Sequence, residues 1–257
     1  MIELEFLEYI WNYHFYQDGS IEVEVRLTGI LSVYVSADKE PTPFGTLVAP
    51  NINAHLHQHL FNLRIDPMID GLKNTVIESD ICPVDEPTGS AVNFAGNGFY
   101  VQETPISNET GRPYDFAKER RWHIVNRSRM HYASGKPVGY SLGLKSSATP
   151  LMAKPDSWTG TRAGLLSNTL WVVKDVEDEE NGCGSVRMWP AGKYVAQSRE
   201  ESVDSVKVWV KNSQAVDDED LLVFATFGTT HIPRPEDWPV YALFFSQHYQ
   251  INNIQIS

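Results

Sequence analysis

The amino-acid sequence predicts a mostly β protein, a large antiparallel β-sandwich with few short helices. One observation is alternation: Ile21-Glu22-Val23-Glu24-Val25-Arg26-Leu27 places apolar and charged residues at period two, the side-chain period of a strand. The other is the shortness of the remaining apolar or β-branched runs, at 170–173, 206–210, 221–227 and 240–245, which Gly, Pro, Asn and Asp separate. Short strands rather than long helices follow from both.

In the strand 21–27 the apolar positions are expected to face a core and the charged ones water. Asp18-Gly19-Ser20 before it is a turn signal, and the aromatic-rich stretch from Tyr9 to Phe15 precedes that turn, so an opening hairpin is predicted. Lys174 to Asn181 (KDVEDEEN) reads as a solvated acidic loop between strands. No internal repeat or composition shift marks a boundary, and residues 1–257 read as a single domain.

Composition narrows the function classes. The 257 residues are 42% hydrophobic, and 33 acidic against 21 basic residues give a formal net charge of -12. That balance argues against nucleic acid or an anionic membrane as the main partner and favours small neutral or cationic ligands. Met1 to Glu8 has no basic leader, and no run approaches the roughly 18 apolar residues of a membrane helix. A soluble chain is expected, intracellular rather than secreted, with its compartment open. Cys82 and Cys183 are too few for a disulfide framework or a thiolate cluster and read as inert thiols, one disulfide being the alternative.

Asn53-Ala54-His55-Leu56-His57-Gln58-His59-Leu60-Phe61 has strand character, and alternate residues of a strand share a face. His55, His57 and His59 are therefore expected to project together. Two imidazoles two residues apart can share one ion at bonds of about 2.0 Å, with a third ligand from elsewhere. Nitrogen ligands favour copper or zinc over magnesium or calcium and do not choose between those two.

Near the C-terminus, Phe227-Gly228-Thr229-Thr230-His231-Ile232-Pro233-Arg234-Pro235-Glu236-Asp237-Trp238-Pro239 is similar to the third-histidine motif of copper amine oxidases, quinone-containing enzymes that oxidise primary amines. Arg121-Trp122, Gly135-Lys136-Pro137-Val138-Gly139-Tyr140, Arg162-Ala163 and Leu170-Trp171-Val172 resemble the family's intervening blocks in order and spacing. The resemblance runs almost the length of the chain. It implies the family's catalytic-domain fold, a homodimer, and oxidative deamination of primary amines by O2 to aldehyde, ammonia and hydrogen peroxide. Copper and topaquinone are the cofactors implied. Carried over by position, it makes His57 and His59 the paired copper ligands and His231 the third, with His55 a neighbour. It also implies a peripheral calcium site at Asp66 and Asp220, with the carbonyls of Pro67 and Leu221. The family's second carboxylate there falls on Met68, which offers no hard oxygen.

The family's quinone forms from a tyrosine in an Asn-Tyr-(Asp or Glu)-Tyr-like motif, followed by an aromatic strand and an Asp-Gly-(Ser/Thr)-Ile turn. This chain has that sequel from Glu8 to Ile21, and in its register the Asn falls on Phe6 and the precursor tyrosine on Leu7. Leucine cannot become a quinone, and the family's catalytic aspartate lies upstream of it. No catalytic residue is assigned. The expectation is a C-terminal, N-terminally truncated portion of the catalytic domain that binds copper and does not turn over amines. The tail from Val240 to Ser257 also departs from the family's usual ending.

Tyr9 shares the strand face of Leu7 but lies one step of about 6.6–6.8 Å further along. It is expected to pack rather than replace the quinone, with Trp11 and Tyr13 continuing as core or site wall. Two other classes stand beside this reading. In one the histidines are a non-catalytic copper or zinc site or a structural staple. In the other the chain is an interaction module that uses Gly111 to Arg129 or the acidic loop near Asp175.

Overall fold

The computed structural model describes residues 7–41, 43–144, 147–177, 185–195, 200–241 and 249–253. Phe6, Cys183, the centre of the acidic run and positions 242–245 of the last apolar run lie outside the described residues. Two compact units emerge, one from residues 1–60 and 228–250, the other from 61–227 and 251–257.

The first unit opens with the expected hairpin. Strands β1 (Leu7–Phe15) and β2 (Ile21–Ile30) pair antiparallel, from Leu7 opposite Gly29 to Phe15 opposite Ile21. A three-stranded sheet follows from β3 (Val33–Val35), β4 (Gly45–Ala49) and β5 (Ile52–His55), with β5 central. Leu31, Val48 and Ala54 form its core, and Val33, Ile52 and Trp238 pack on them.

After β6 (His57–Ile65), the second unit contains β7 (Thr75–Pro83), β8 (Phe99–Pro105), β9 (Thr110–Arg112), β10 (Arg121–Met130) and β11 (Pro137–Gly143). Strands β11, β10, β7 and β8 lie side by side in that order, antiparallel throughout. The short helix α1 (Trp158–Arg162) precedes β12 (Leu170–Lys174), and α2 (Val206–Trp209) precedes β13 (Leu221–His231) and the two-residue β14 (Val240–Tyr241). A second sheet has the order β6-β13-β12-β9. Trp171, Val173, Leu222 and Phe224 of that sheet meet Val206 and Trp209 in a buried cluster. None of the described helices is long and apolar enough to cross a membrane.

Three local expectations are corrected. The run 206–210 is the helix α2 with a 3-10 turn from Val210 to Asn212, not a strand. Val206 and Trp209, three residues apart, share one helical face and both bury against the cluster around Phe224, and tertiary burial overrides β propensity there. The charged face of β2 is not in water. Glu22 and Glu24 are buried: Tyr16 donates to Glu22, while Asn12 at 2.7 Å and Arg26 at 2.9 Å donate to Glu24. Burial alone would raise the Glu24 carboxyl, but these donors hold it below the usual range. Trp11 and Tyr13 are 40% and 53% exposed, so they line no core in this structure.

The second unit hides one complete ion pair. Arg187 donates to the buried Glu109, whose carboxylate also accepts the backbone N–H groups of Lys174 and Gln214, each at 3.1 Å. Removing one partner leaves the other charge buried and uncompensated, a change that typically costs about 3–5 kcal/mol. Glu109→Ala is expected to destabilise the chain by that amount in urea unfolding, whereas Glu219→Ala, which breaks the half-exposed pair with Lys174, is expected to cost under about 1 kcal/mol.

Candidate metal centre

Strand pairing assembles the centre within the first unit. Gln58 donates to Thr230 at 2.9 Å across β6 and β13, and the antiparallel register that aligns those two puts His57 opposite His231. His59 lies two residues on from His57, on the same face. The ring centroids of His57 are 4.6 Å from His59 and 4.8 Å from His231, and the candidate ligand atoms of all three lie within 4.8 Å of one another. An ion bonded at about 2.0 Å to each nitrogen holds the donors within roughly 4 Å, so binding needs the rings to close by less than an ångström.

Gly228 permits that approach. A Cβ there would sit 2.0 Å from the backbone oxygen of His59, a rigid atom that cannot yield. A side chain at this point of β13 would push β6, and His59 with it, away from His231.

The outer hydrogen bonds decide which nitrogen each ring presents. Nδ1 of His57 faces the carbonyl oxygen of His55 at 2.9 Å, and a carbonyl only accepts, so Nδ1 carries the proton and Nε2 the lone pair. His231 directs Nε2 to the Asp237 carboxylate at 3.3 Å, which leaves Nδ1 as its ligand atom. His59 has Nδ1 3.1 Å from the Tyr9 hydroxyl, while its Nε2 is buried without a hydrogen bond. The Tyr9 hydroxyl can accept from or donate to Nδ1, and in the Nδ1–H tautomer Nε2 presents its lone pair. The nitrogens left for a metal would be two Nε2 and one Nδ1.

Asp237 is tied in turn. Its buried carboxylate accepts Arg234 N–H at 2.8 Å and the Arg234 guanidinium at 3.0 Å. Burial would raise its pKa, but Arg234 and His231 hold it below the usual carboxylate range. It remains an anion beneath His231. Burial lowers the His231 pKa, partly opposed by Asp237, and burial followed by the repulsion of His57 and His231 lowers that of His59 to about 4.

His55 does not join the cluster. The strand breaks at Leu56 between β5 and β6, and the His55 ring stacks on Tyr34 at 4.9 Å. The three-histidine face expected from alternation is therefore corrected to two histidines plus His231. Leu7 opens β1 and pairs through its backbone with Gly29. In the second unit, Asp66 and Asp220 do come near each other, together with Asp175 and Glu177. Desolvation first, then the negative charges of Asp175, Asp66, Glu177 and Glu219, raise the Asp220 carboxyl. Asp66 also pairs with Arg64 at 3.1 Å, and Met68 is exposed.

The family model described as copper amine oxidase, enzyme domain, matches residues 6–251. The chain belongs to the copper amine oxidase family. Relatives include a peroxisomal primary amine oxidase of Pichia angusta, 39% identical over 91% of this chain and 33% of its own length. A histamine oxidase of Arthrobacter globiformis is 36% identical over 91% of this chain and 32% of its own. A solved copper-containing benzylamine oxidase of Hansenula polymorpha superposes with a TM-score of 0.83 at 30% identity, covering 95% of this chain and 37% of that one. The chain spans about a third of the length of the curated relatives it matches.

Sequence reasoning missed two residues that contact the histidines, Tyr9 and Asp237. A carboxylate six residues after a candidate ligand, in a Pro-rich turn, was a signal for Asp237. Tyr9 reaches His59 across 50 residues of chain, and no local pattern encodes that contact.

The depressed pKa of His59 has a measurable sign. Its folded value near 4 lies below the ordinary 6.5, so between these limits the unfolded chain binds the proton more readily and stability falls with falling pH. In metal-free protein His59 should contribute a loss of up to about 1.4 kcal/mol per pH unit below pH 6.5. Urea titrations at three pH values should show that slope, reduced in His59→Gln; equal slopes in both proteins would contradict the assignment.

Proposed function

We propose that this chain is the copper-binding part of a primary-amine oxidase catalytic domain, with His57 and His59 contributing Nε2 and His231 contributing Nδ1. The observation that carries this reading is the pairing of each ring's outer nitrogen with a fixed partner, the His55 carbonyl, the Tyr9 hydroxyl or Asp237, so that the inner nitrogens converge. Copper held there supplies a redox-active ion, and topaquinone, in family members that carry it, supplies the electron sink for the amine. The residues of this chain lower the pKa of His59 and His231 by burial, give each ring an outer partner and keep Asp237 anionic under His231.

Topaquinone does not fit these residues in this reading, because the position matching its precursor is Leu7, which cannot become a quinone. In this reading the chain binds copper, oxidises no primary amine by itself and forms the homodimer that the resemblance implies. Three imidazoles also suit zinc, so the second reading is a non-catalytic copper- or zinc-binding β protein. Loading the chain with copper(II) in air should give one ion per chain, lost in a His57→Ala, His59→Ala variant, without a quinone absorption band. A quinone band, or hydrogen peroxide formed from a primary amine, would overturn the inactivity; zinc displacing equimolar copper would favour the second reading.

We further propose that Asp66 and Asp220 hold calcium with the carbonyls of Pro67 and Leu221. The support is an accumulation of negative charge in which buried Asp175 and Asp220 carboxylate oxygens lack hydrogen-bond partners among the described residues. A divalent cation would relieve that repulsion. Millimolar calcium is expected to raise the melting temperature by a few degrees, and Asp220→Asn to abolish the response. An unchanged melting temperature in the parent chain would contradict it.

A further inference from the structure

The face of the three-stranded sheet that bears His55 carries a feature unrelated to the ligand set. Tyr34 on β3 and Asn53 on β5 are register partners, and Asn53 and His55 alternate along β5, so all three share one face. Tyr34 and His55 stack with their planes 21° apart. Together with Glu40, Pro41, Pro43 and Phe44 they line an open slot of about 570 Å³. Phe44 is 79% exposed, so its ring is open to a ligand in the slot.

The slot's chemistry is aromatic and acidic. Tyr34 and Phe44 offer ring faces, which are negative, and Glu40 adds a carboxylate at the rim, where one oxygen accepts the Ala37 N–H at 2.7 Å. Asp38, Lys39 and Glu40 sum to one negative charge, and the whole chain carries -12. Cations are drawn to such a surface before they touch it. Two prolines flanking the aromatic wall provide rigid apolar packing for a carbon skeleton.

Asn53 is a second, separate observation. It is fully buried, yet neither its amide nitrogen nor its oxygen has a hydrogen-bond partner among the described residues. The oxygen crowds Gly45, the residue after Phe44, where a Cβ would lie 1.9 Å away. Buried amides are normally paired, and this acceptor sits beside the backbone that forms the slot wall.

We propose that this slot is a recognition site for small arylalkylammonium ions, separate from the copper ligands: the ring of the ligand packs on Phe44 and the prolines, and its ammonium group faces Tyr34 and Glu40. The proposal does not depend on copper or on amine turnover.

The test titrates the full chain with benzylammonium and with benzyl alcohol, followed by amide chemical shifts. Millimolar binding of the ammonium is expected, at least about fivefold tighter than the alcohol, with shifts at Tyr34, Phe44 and Asn53. Glu40→Gln and Phe44→Ala, both at exposed positions, should each weaken it about threefold or more, while His57→Ala, His59→Ala should leave it intact. Equal affinity for the alcohol, or binding insensitive to both slot variants, overturns the proposal. Loss of binding in the histidine variant would assign the ammonium to the metal centre instead, and tighter binding of Nα-acetyl-lysine amide than of benzylammonium would overturn the small-amine assignment.

Discussion

The antiparallel contact between β6 and β13 is the constraint on which the metal centre depends. Two ligands two residues apart on one strand come almost free of conformational cost, because strand geometry already aims them to one side. The third must be delivered from 172 residues away, from Gln58 to Thr230 in the same ladder, and strand pairing is what places it. Register is therefore the quantity that matters: a slip of one residue would turn His231 to the opposite face. Gly228 protects that register by allowing β13 to run against the His59 carbonyl without a side chain between them.

Around this contact, each imidazole is held from behind by a different kind of group. A main-chain carbonyl fixes His57, a neutral phenol meets His59, and a buried carboxylate meets His231. Only the last brings a charge. The cluster gathers three bases, and burial lowers the pKa of His59 and His231, so those two rings are neutral in metal-free protein near neutral pH. A site prepared in this way loses little to proton competition when a metal enters near neutral pH.

Much of this was legible in the residues. The hairpin ending at Ile30 and the strands at 170 and 221 follow from alternation and short β-branched runs, whereas spacing grouped His55 with His57 and His59 and only the family resemblance singled out the latter pair. What alternation could not reveal was where a strand stops. The break at Leu56 depends on His55 finding Tyr34, a partner on another strand. Helix α2 was misread because Val206 and Trp209 look like strand residues until the cluster that buries them exists. Glu22 and Glu24 read as solvent-facing charges for the same reason, since the groups that satisfy them, Asn12, Tyr16 and Arg26, emerge only when the hairpin closes.

Tyr9 is the residue of β1 that reaches the centre. Burial raises its phenol pKa, so it stays neutral around neutral pH, and its oxygen lies 3.1 Å from Nδ1 of His59. In the tautomer where this phenol accepts the N–H, Nε2 is directed inward, and the phenol ring meets the imidazole at a centroid distance of 5.8 Å. Its backbone partner is Leu27 on β2, while that of Leu7 is Gly29, one same-face step away. Tyr9 therefore bears on the orientation of His59 through a contact of its own. The arrangement of the three histidines rests on β6, β13 and this contact.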